Sequence, residues 1–494
     1  MASARATIIT VTMLLASSDA FGQQTIVPGT MPRIGDVDTR FQSYNLEMVT
    51  VTGGPFWKPY GAGRDGELHA ERPPIDLANP RLRKLAAALG PAYMRVSGSW
   101  ANATYFADTD ATSGQPPPGY NSILTRSQWR SVIEFATAVD ARIVTSLAVS
   151  PGSRDASGAW RAEQTEQLLA YTHSLGAHIA AAEFMNEPDL APQNAVPSGY
   201  DAAAYGRDFR TFRELMKTAS PETLIAGPGN ISDSTATASR LGPRDLLAAS
   251  GGGLDVVSYH DYGTVSPRCG GRDRPALALT DAWFSRTEKA LALYKALRDQ
   301  YAPGKPIWLT ETADAACGGN PWDATFLDSF RYLDQLGRLA KSGVSVVMHN
   351  TLSGSDYGLL DERTFAPRPN YWAALLWHRL MGPIALNPGT AGQDGLHVYA
   401  HCDPERPGGV TVLAINAADR QQTLTIPLAA RRYTLQASHL RSGTVQLNGT
   451  TLSLRENDAF PEIAGVPTTA EAVVFAAHSI TFVAIANAAN PACH

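Results

Sequence analysis

The sequence of 494 residues has few cysteines, little net charge of either sign and no long apolar run. Its formal net charge of -5 gives no basic surface of the kind that nucleic-acid binding needs, so a nucleic acid is not an expected partner. No run reaches the roughly 20 apolar residues of a transmembrane helix, so no membrane span is expected. The four cysteines form no CxxC pair and no cluster with histidines, and a zinc site is therefore not expected.

Motifs of several common enzyme classes are also missing. The sequence contains no GxxxxGKS/T phosphate loop, no HExxH metal-binding helix and no GxSxG nucleophile elbow. Residues 61–66 spell GxGxxG, but they follow a loop with proline and tryptophan, and no helix opens after them. A dinucleotide site needs that strand and that helix, so we expect no cofactor and no metal.

The first 22 residues have the layout of a secretory signal peptide. Arg5 gives a positive start, Ala6 to Ser17 are mostly apolar or small, and Ala20 and Gly22 precede candidate cleavage sites. A first buried strand is the alternative interpretation of this run. Export predicts a secreted or periplasmic protein, in which the four cysteines can form disulfides in any of three pairings.

Between about residues 44 and 350, short β-rich runs alternate with amphipathic helical stretches. The runs are Tyr44–Val51, Ala92–Ser99, Arg142–Val149, Ala180–Glu187, Leu224–Gly229, Asp255–Asp261, Pro306–Thr312 and Val344–Asn350. This alternation predicts a parallel sheet, and eight strands are the number that closes a TIM barrel. An open doubly wound sheet is the competing architecture, but it usually has a glycine-rich phosphate loop after its first strand.

The pattern changes after a last predicted helix at Tyr371–Leu380. From Leu396 onward, short alternating strands follow one another with turns between them and little helix, which indicates an antiparallel β-sandwich. We therefore predict an α/β TIM barrel over residues 36–382 and a β-sandwich domain over residues 383–494. A strand from residues 23–35 is predicted to join the sandwich.

Two glutamates stand at the predicted C-terminal ends of barrel strands, where TIM-barrel enzymes place their catalytic groups. Glu187 closes the fourth run, and Glu311 closes the seventh. A glycosidase needs such a pair, because one carboxylic acid protonates the leaving oxygen and one carboxylate attacks or directs water. A structural ion pair is the alternative role, and we predict it for Glu183, four residues before Glu187, with Arg95 of strand 2.

The tripeptide Asn186-Glu187-Pro188, with a second glutamate on strand 7, resembles the large barrel clan of retaining glycosidases. Within that clan the sequence resembles glycoside hydrolase family 79, which holds heparanase and the β-glucuronidases, and in particular a bacterial-type secreted member. The resemblance covers most of the chain. The ordered segments that carry it are Asn79–Asp108, Asp255–Tyr262, Ile307–Gly319, Ser355–Glu362 and Pro369–Gly382.

The resemblance implies roles for particular residues. Glu187 matches the family's acid/base and Glu311 its nucleophile. Asn186 would hydrogen-bond the sugar 2-hydroxyl, and Tyr262 would hold the nucleophile through its phenol group. His260, two residues before Tyr262 on the same strand face, is a candidate to support the catalytic groups, although a lone histidine is more often part of the core.

A further set of residues is implied to bind the sugar. In the resembling enzymes, backbone amides of a glycine pair and a tyrosine after strand 8 hold the glucuronate carboxylate, and Gly318, Gly319 and Tyr357 are the matching positions. Amides in a glycine turn bind an anion without the desolvation cost of a lysine. An ordinary turn and a surface tyrosine are the alternative interpretation. Glu47 and Ser99, at the ends of strands 1 and 2, match positions that contact sugar hydroxyls.

The sequence departs from heparanase-like enzymes at the stretches where those that cleave sulfated polymers carry lysine and arginine. Residues 189–193 and 229–234 contain no basic residue here, which favours unsulfated glucuronides, although Arg268, Arg272 and Arg274 lie near strand 6. We therefore predict a retaining β-glucuronidase that hydrolyses β-linked glucuronides by double displacement. The alternatives are an endo-β-glucuronidase acting on a glucuronate-containing polysaccharide and a non-catalytic carbohydrate-binding protein.

The resemblance also bears on the cysteines. Heparanase joins the start of its sandwich to its C-terminal tail, which implies a disulfide between Cys402 and Cys493. The remaining pair, Cys269 and Cys317, would then tie the loops after strands 6 and 7 beside the nucleophile. The family gives no support of its own to this second pairing.

Overall fold

The computed structural model describes residues 24–61, 67–190, 195–231, 241–389 and 395–494. The predicted signal peptide, residues 1–22, lies outside the described residues, as does most of the GxGxxG stretch. Among the described helices, none combines the length and the apolar character that crossing a membrane requires.

Eight parallel strands close into a barrel. In chain order they are β1 (Gln42–Glu47), β2 (Ala92–Ser97), β3 (Ala141–Ser146), β4 (Ala181–Glu183), β5 (Leu224–Ile231), β6 (Val256–Val265), β7 (Ile307–Ala316) and β8 (Val346–His349). Each strand pairs in parallel with its neighbours, and β8 pairs with β1, which closes the ring. The predicted TIM barrel is confirmed.

The α-helices of the described ranges cover the outside of the barrel and line its rims. They are Met48–Thr52, Pro80–Ala87, Arg126–Ala138, Glu163–Ser174, Ala202–Ala219, Pro243–Ala249, Asp281–Phe284, Arg286–Tyr301, Phe326–Lys341 and Pro369–Leu380. Local signals start several of them: Asn79 caps the second through two backbone amides, and Thr125 with Gln128 forms a capping box on the third. The single helix predicted over Asp281–Gln300 is two helices in the structure.

The barrel interior is apolar at one end and polar at the other. Residues near the N-terminal ends of the strands form one buried apolar cluster, whose members are Tyr93, Val144, Ala181, Ala226, Val256, Trp308, Val346 and Met348. Polar side chains follow further along the same strands, and Arg95, Glu183 and His260 are almost completely buried among them. The polar and ionisable side chains of the barrel interior therefore lie towards the C-terminal end of the barrel.

Two strand ends differ from the prediction. Strand β4 ends at Glu183, so Glu187 lies in the following loop with a left-handed backbone (φ 44°). The side chain of Asn102 takes the place of a strand neighbour, because it donates to the carbonyl of Asn186 (2.8 Å) and accepts from its amide (2.9 Å). Strand β7 instead continues past Glu311 to Ala316, because its last residues pair with the extended end of β6.

The C-terminal region forms an antiparallel sheet of nine strands. Its strands are Arg33–Asp36, Ile384–Leu386, Leu396–Cys402, Val410–Asn416, Ser479–Ile485, Ala430–Gln436, Gln446–Leu447, Thr450–Thr451 and Val466–Thr468. A second sheet pairs Gln422–Ile426 with Glu471–Phe475, and side chains of both sheets share one apolar core. The predicted antiparallel β-domain is confirmed, and its first strand comes from the N-terminal side of the barrel. The domain boundaries stay predictions.

A buried histidine of this domain makes stability depend on pH. Burial lowers the pKa of His401 to about 4, whereas a histidine in the unfolded chain titrates near 6.5. Between these two values the unfolded state binds a proton that the folded state does not, so the contribution of His401 to stability falls as the pH drops from about 6.5 to 4. We expect His401→Asn to abolish this contribution.

The difference between the two proteins isolates His401 from the other titrating groups. We expect the difference in unfolding free energy, wild type minus His401→Asn, to decrease by about 1.4 kcal/mol for each unit by which the pH falls within this window. Urea unfolding of both proteins between about pH 7 and pH 5 measures the change. Parallel stability curves for the two proteins would show that the folded and unfolded states bind this proton equally, so that folding does not lower the pKa of His401.

Candidate active site

A cavity of about 950 Å³ opens at the C-terminal end of the barrel. Most of the residues predicted to act in catalysis or sugar binding are in its wall: Glu47, Ser99, Glu187, Tyr262, Glu311 and Tyr357. The backbone after each of several different strands contributes to this wall, as is usual for TIM-barrel sites. The fold therefore brings together side chains that are up to 310 positions apart in the sequence.

The two glutamates face each other across this cavity. Glu187 is 5% and Glu311 6% exposed, so both carboxyl groups are largely withdrawn from solvent. One oxygen of each lies within 4.8 Å of the other and of a ring nitrogen of His260. A separation of about 5–5.5 Å is typical of retaining glycosidases, whereas inverting enzymes need about 6.5–9.5 Å to admit a water molecule. The spacing therefore fits attack by one carboxylate.

Arg95 connects four polar side chains below the cavity. Its guanidinium donates to Glu183 at 2.9 Å, to Glu311 at 2.7 Å and to the Oδ1 atom of Asn186 at 2.8 Å. It also lies 3.2 Å from the Nε2 atom of His260. Burial acts to raise the pKa of Glu183, but the charge of Arg95 together with hydrogen bonds from Ser258 and Thr310 holds that pKa below its usual range. The predicted Arg95–Glu183 pair is present, and the same arginine also orients the catalytic candidates.

His260 links the two glutamates as a neutral imidazole. Burial lowers the pKa of His260 to about 4, so the ring carries a single proton at neutral pH. Its Nε2 atom faces Arg95, which can only donate, and we infer that Nε2 accepts and that Nδ1 carries the proton. That proton is then donated to Oε1 of Glu187, 3.0 Å away, while Oε2 of Glu311 lies 3.7 Å from the same nitrogen.

Tyr262 and Asn350 complete the contacts of Glu311 and Glu47. Burial, followed by the charge of Glu311, raises the pKa of Tyr262 well above its usual range, so its hydroxyl keeps its proton and donates to Glu311 at 2.6 Å. The side-chain amide of Asn350 donates to Tyr262 and to Glu47, at 3.0 Å in each case. Negative charge on Glu311 is therefore stabilised by two donors, Tyr262 and Arg95.

The surroundings of Glu47 shift the pKa of its carboxyl group. Burial raises the pKa of Glu47 well above its usual range, and the charge of Glu311 raises it further. Burial and the charge of Glu311 therefore favour the protonated form of the Glu47 carboxyl group. The side chain fits because residue 98 is glycine: a Cβ atom there would overlap the Glu47 carboxyl, and the backbone is left-handed (φ 86°).

Three polar atoms around the glutamates are buried without a hydrogen-bond partner among the described residues. They are Nδ2 of Asn186, Oδ1 of Asn350 and Oε2 of Glu47. Leaving such atoms unpaired is costly, and most buried polar atoms in proteins are paired. The three atoms are an amide donor on Asn186 and oxygens on Asn350 and Glu47, which are the kinds of group that hydrogen-bond sugar hydroxyls.

The residues predicted to hold the substrate carboxylate are placed less directly. Tyr357 is in the cavity wall, and so is Cys317. Gly318 and Gly319 follow Cys317 in the chain and are not part of the cavity wall. Gly318 packs against Trp57. Both glycines are left-handed (φ 82° and 96°), a conformation that favours glycine.

The four cysteines form two disulfides, Cys402–Cys493 and Cys269–Cys317. The first joins a strand of the C-terminal sheet to the chain end, and the second joins the loops after β6 and β7. Both cysteines of the second bond are in the cavity wall. The two bonds therefore serve different parts of the molecule.

The group of Glu187, His260 and Glu311 is also compact enough to hold a cation. The surroundings do not favour one. Nδ1 of His260 is assigned a proton, and the guanidinium of Arg95 already places a positive charge 2.7 Å from Glu311. A metal ion would have to displace that proton and approach that charge.

Several residues of the site have no role in the sequence-based prediction. Asn350 follows β8, and the strand-end rule that selected the glutamates also points to it. Trp57, His69 and Trp100 form an aromatic wall of the cavity, with ring centroids 4.4 Å apart for Trp57 and His69 and 6.4 Å for each contact with Trp100. No local signal marks this wall, since it depends on a hairpin inserted after β1.

An eight-stranded barrel with two buried carboxyl groups in one cavity defines the class of this protein as a glycoside hydrolase. The chain belongs to glycoside hydrolase family 79. The family model "Glycosyl hydrolase family 79, N-terminal domain" matches residues 73–337, which are more than half of the chain.

Three similar proteins extend this comparison. Heparanase-like protein 1 of Arabidopsis thaliana is 32% identical over 370 residues, which are 70% of this chain and 65% of the relative. Baicalin-β-D-glucuronidase of Scutellaria baicalensis is 29% identical over 327 residues, or 62% and 59% of the two chains. The solved structure of a 4-O-α-L-rhamnosyl-β-D-glucuronidase from Fusarium oxysporum has the same fold, with a TM-score of 0.67, 14% identity and coverage of 94% and 100%.

The source organisms of these similar proteins bear on the expected origin of the chain. The two relatives are plant proteins and the structure is fungal, so none of them supports the expectation of a bacterial-type member. The chain spans less than two thirds of the length of both plant relatives.

Proposed function

We propose that the protein is a retaining β-glucuronidase that hydrolyses β-linked glucuronides by double displacement. The observation that carries this proposal is the short distance between the carboxyl groups of Glu187 and Glu311, which lie within 4.8 Å of each other in one cavity. That distance leaves no space for a water molecule between an inverting pair. This spacing supports direct attack of one carboxylate on the anomeric carbon.

The contacts of the two glutamates divide their roles. Glu311 receives hydrogen bonds from Tyr262 and Arg95, and it acts as the charged nucleophile that attacks the anomeric carbon. Glu187 protonates the departing oxygen and then removes a proton from the water that hydrolyses the glycosyl-enzyme. The Nδ1–H group of His260 donates to one oxygen of Glu187 and so orients its carboxyl group.

Two kinds of observation support a glucuronide as the substrate. A relative named as a β-D-glucuronidase favours a glucuronide, and Gly318, Gly319 and Tyr357 match the residues expected to bind its carboxylate. Asn186 and Glu47 supply buried polar atoms for the sugar hydroxyls. A secreted or periplasmic location goes with this proposal, since two disulfides suit an oxidising compartment.

An endo-acting enzyme is the second candidate. The aromatic wall of Trp57, His69 and Trp100 gives the cavity a surface beyond the two glutamates on which a second sugar ring can stack. Size analysis of a digested glucuronate-containing polysaccharide separates the two functions. An exo-acting enzyme releases free glucuronate from the start, and an endo-acting enzyme first shortens the polymer.

The reaction type is tested by following an aryl β-glucuronide with proton NMR during hydrolysis. We expect the β-anomer of glucuronate to appear first and the α-anomer to follow by mutarotation. The matching aryl β-glucoside, which lacks only the carboxylate, serves as the control and should be cleaved far more slowly. Initial release of the α-anomer would contradict double displacement, and no release from the glucuronide would contradict the proposed function.

A further inference from the structure

The Cys269–Cys317 disulfide lies in the wall of the substrate cavity. Cys269 is exposed and Cys317 is partly exposed, so the bond can be reached from the cavity and from solvent. The other disulfide is different: Cys402 is 5% exposed and Cys493 is 7% exposed. The chain therefore has one accessible disulfide next to the catalytic candidates and one buried disulfide in the C-terminal domain.

Cys317 begins a turn that the backbone does not adopt readily. Cys317, Gly318 and Gly319 have φ values of 63°, 82° and 96°, so three successive residues are left-handed. A residue with a Cβ atom is strained in this conformation, and Cys317 has no glycine-like freedom to relieve it. The turn therefore needs contacts from outside to keep its shape.

Loops after two other strands provide those contacts. The carbonyl of Gly318 accepts from the amide of Asp356 (3.1 Å) and the hydroxyl of Ser355 (2.9 Å), both after β8. The carbonyl of Gly319 accepts from the hydroxyl of Ser266 (2.7 Å), after β6. The disulfide adds the one covalent connection to this set.

Arg268, next to Cys269, extends the network to the loop after β1. Its guanidinium donates to Asp356 at 2.8 Å and to the carbonyl of Lys58, and it stacks on the ring of Tyr60 at 4.0 Å. The side chain is 8% exposed. Arg268 is consequently engaged within the protein, and the segment that carries Cys269 is fixed on its other side.

We propose that the Cys269–Cys317 disulfide positions the turn at Cys317–Gly319 for substrate binding, so that its reduction weakens substrate affinity and leaves the catalytic step intact. This inference rests on the proposed function, because the turn carries the glycines assigned to the substrate carboxylate. Glu187 and Glu311 are held by Arg95, His260 and Tyr262, and none of these contacts passes through the disulfide.

A dithiol reduces this disulfide by thiol–disulfide exchange. A thiolate of dithiothreitol attacks one sulfur of Cys269–Cys317 and forms a mixed disulfide, and its second thiolate then releases the protein. Two protein thiols and the cyclic oxidised reductant result. Attack requires access to the sulfur, so the exposed bond should react before Cys402–Cys493.

The test compares Cys269→Ser/Cys317→Ser with Cys402→Ser/Cys493→Ser as the matched control. Initial rates at 25 °C, well below unfolding, give kcat and KM on the aryl β-glucuronide. For the first variant we expect KM to rise roughly tenfold, as when one or two hydrogen bonds to substrate are lost, with kcat within about twofold. The control should lose thermal stability and keep the KM of the wild type.

Reduction of the wild type gives a second measurement if the first variant does not fold. Mild dithiothreitol treatment followed by alkylation and mass spectrometry should label Cys269 and Cys317 first, with KM rising in parallel and recovering on reoxidation. An unchanged KM after labelling, or an equal rise in the control variant, would overturn the positioning role. If the wild type cleaves no glucuronide, the proposed function is refuted instead. The KM comparison is then made on the glycoside that it does cleave, chosen from a panel of β-glucosides and glucuronan.

Discussion

Replacement of Glu311 by glutamine is expected to abolish hydrolysis of an aryl β-glucuronide, with kcat reduced by roughly 10⁴-fold or more. Glutamine keeps the size of the side chain but only one of its two acceptor oxygens, so it can accept from Tyr262 or from Arg95 and not from both. It also cannot form the glycosyl-enzyme. The fold should be retained, because the change removes a charge and no packing. Measured kcat together with a circular dichroism melting curve checks both statements.

Glu187→Gln and Glu222→Gln provide the comparison for this variant. Glu187→Gln should lower the rate by about 10²–10⁴-fold, and less for aryl glucuronides whose leaving group needs little protonation. Added azide should restore turnover in Glu187→Gln, since it replaces the activated water, and should not restore Glu311→Gln. Glu222 lies at the surface beside His173, and its variant should have wild-type activity. Rescue of Glu311→Gln by azide with the β-glycosyl azide as product would reverse the two assigned roles.

Replacement of Arg95 by methionine is expected to cause the largest loss of stability of any single change in the site. The guanidinium is 1% exposed, and its removal leaves the charge of Glu183, which is 0% exposed, without its cation. Breaking a buried ion pair from one side typically costs about 3–5 kcal/mol. Activity should fall as well, because Glu311, Asn186 and His260 each lose a donor. Urea unfolding and kcat measure the two effects.

The double variant Arg95→Met/Glu183→Gln separates stability from catalysis. Removing the buried charge should recover most of the lost unfolding free energy, because the remaining amide can still be hydrogen-bonded by Ser258 and Thr310. Activity should stay low, since Glu311 and Asn186 remain without their donor. Recovery of activity together with stability would show that Arg95 acts only on the fold.

Local sequence signals were sufficient to predict the architecture and to select Glu187 and Glu311 as candidate catalytic residues. Apolar runs that alternate with amphipathic stretches predict eight parallel strands, because each strand and each helix buries one face. Strand ends were less predictable. Glu187 lies beyond β4 because the side chain of Asn102 replaces a strand neighbour of Asn186. These two asparagines are 84 positions apart, and no local pattern contains their contact.

What the sequence by itself determined is therefore the barrel, the antiparallel domain after it, and the pair Glu187 and Glu311 with Asn186 beside the first. These follow from periodicity and from the position of polar residues after apolar runs, both of which are local. The tertiary structure decided the chemical state of the site. Arg95 reaches Glu311 across 216 positions and Glu47 reaches Asn350 across 303. Burial and charge at such contacts shift the pKa values of the site, as they do for Glu47 and His260, and these contacts exist only once the barrel has closed.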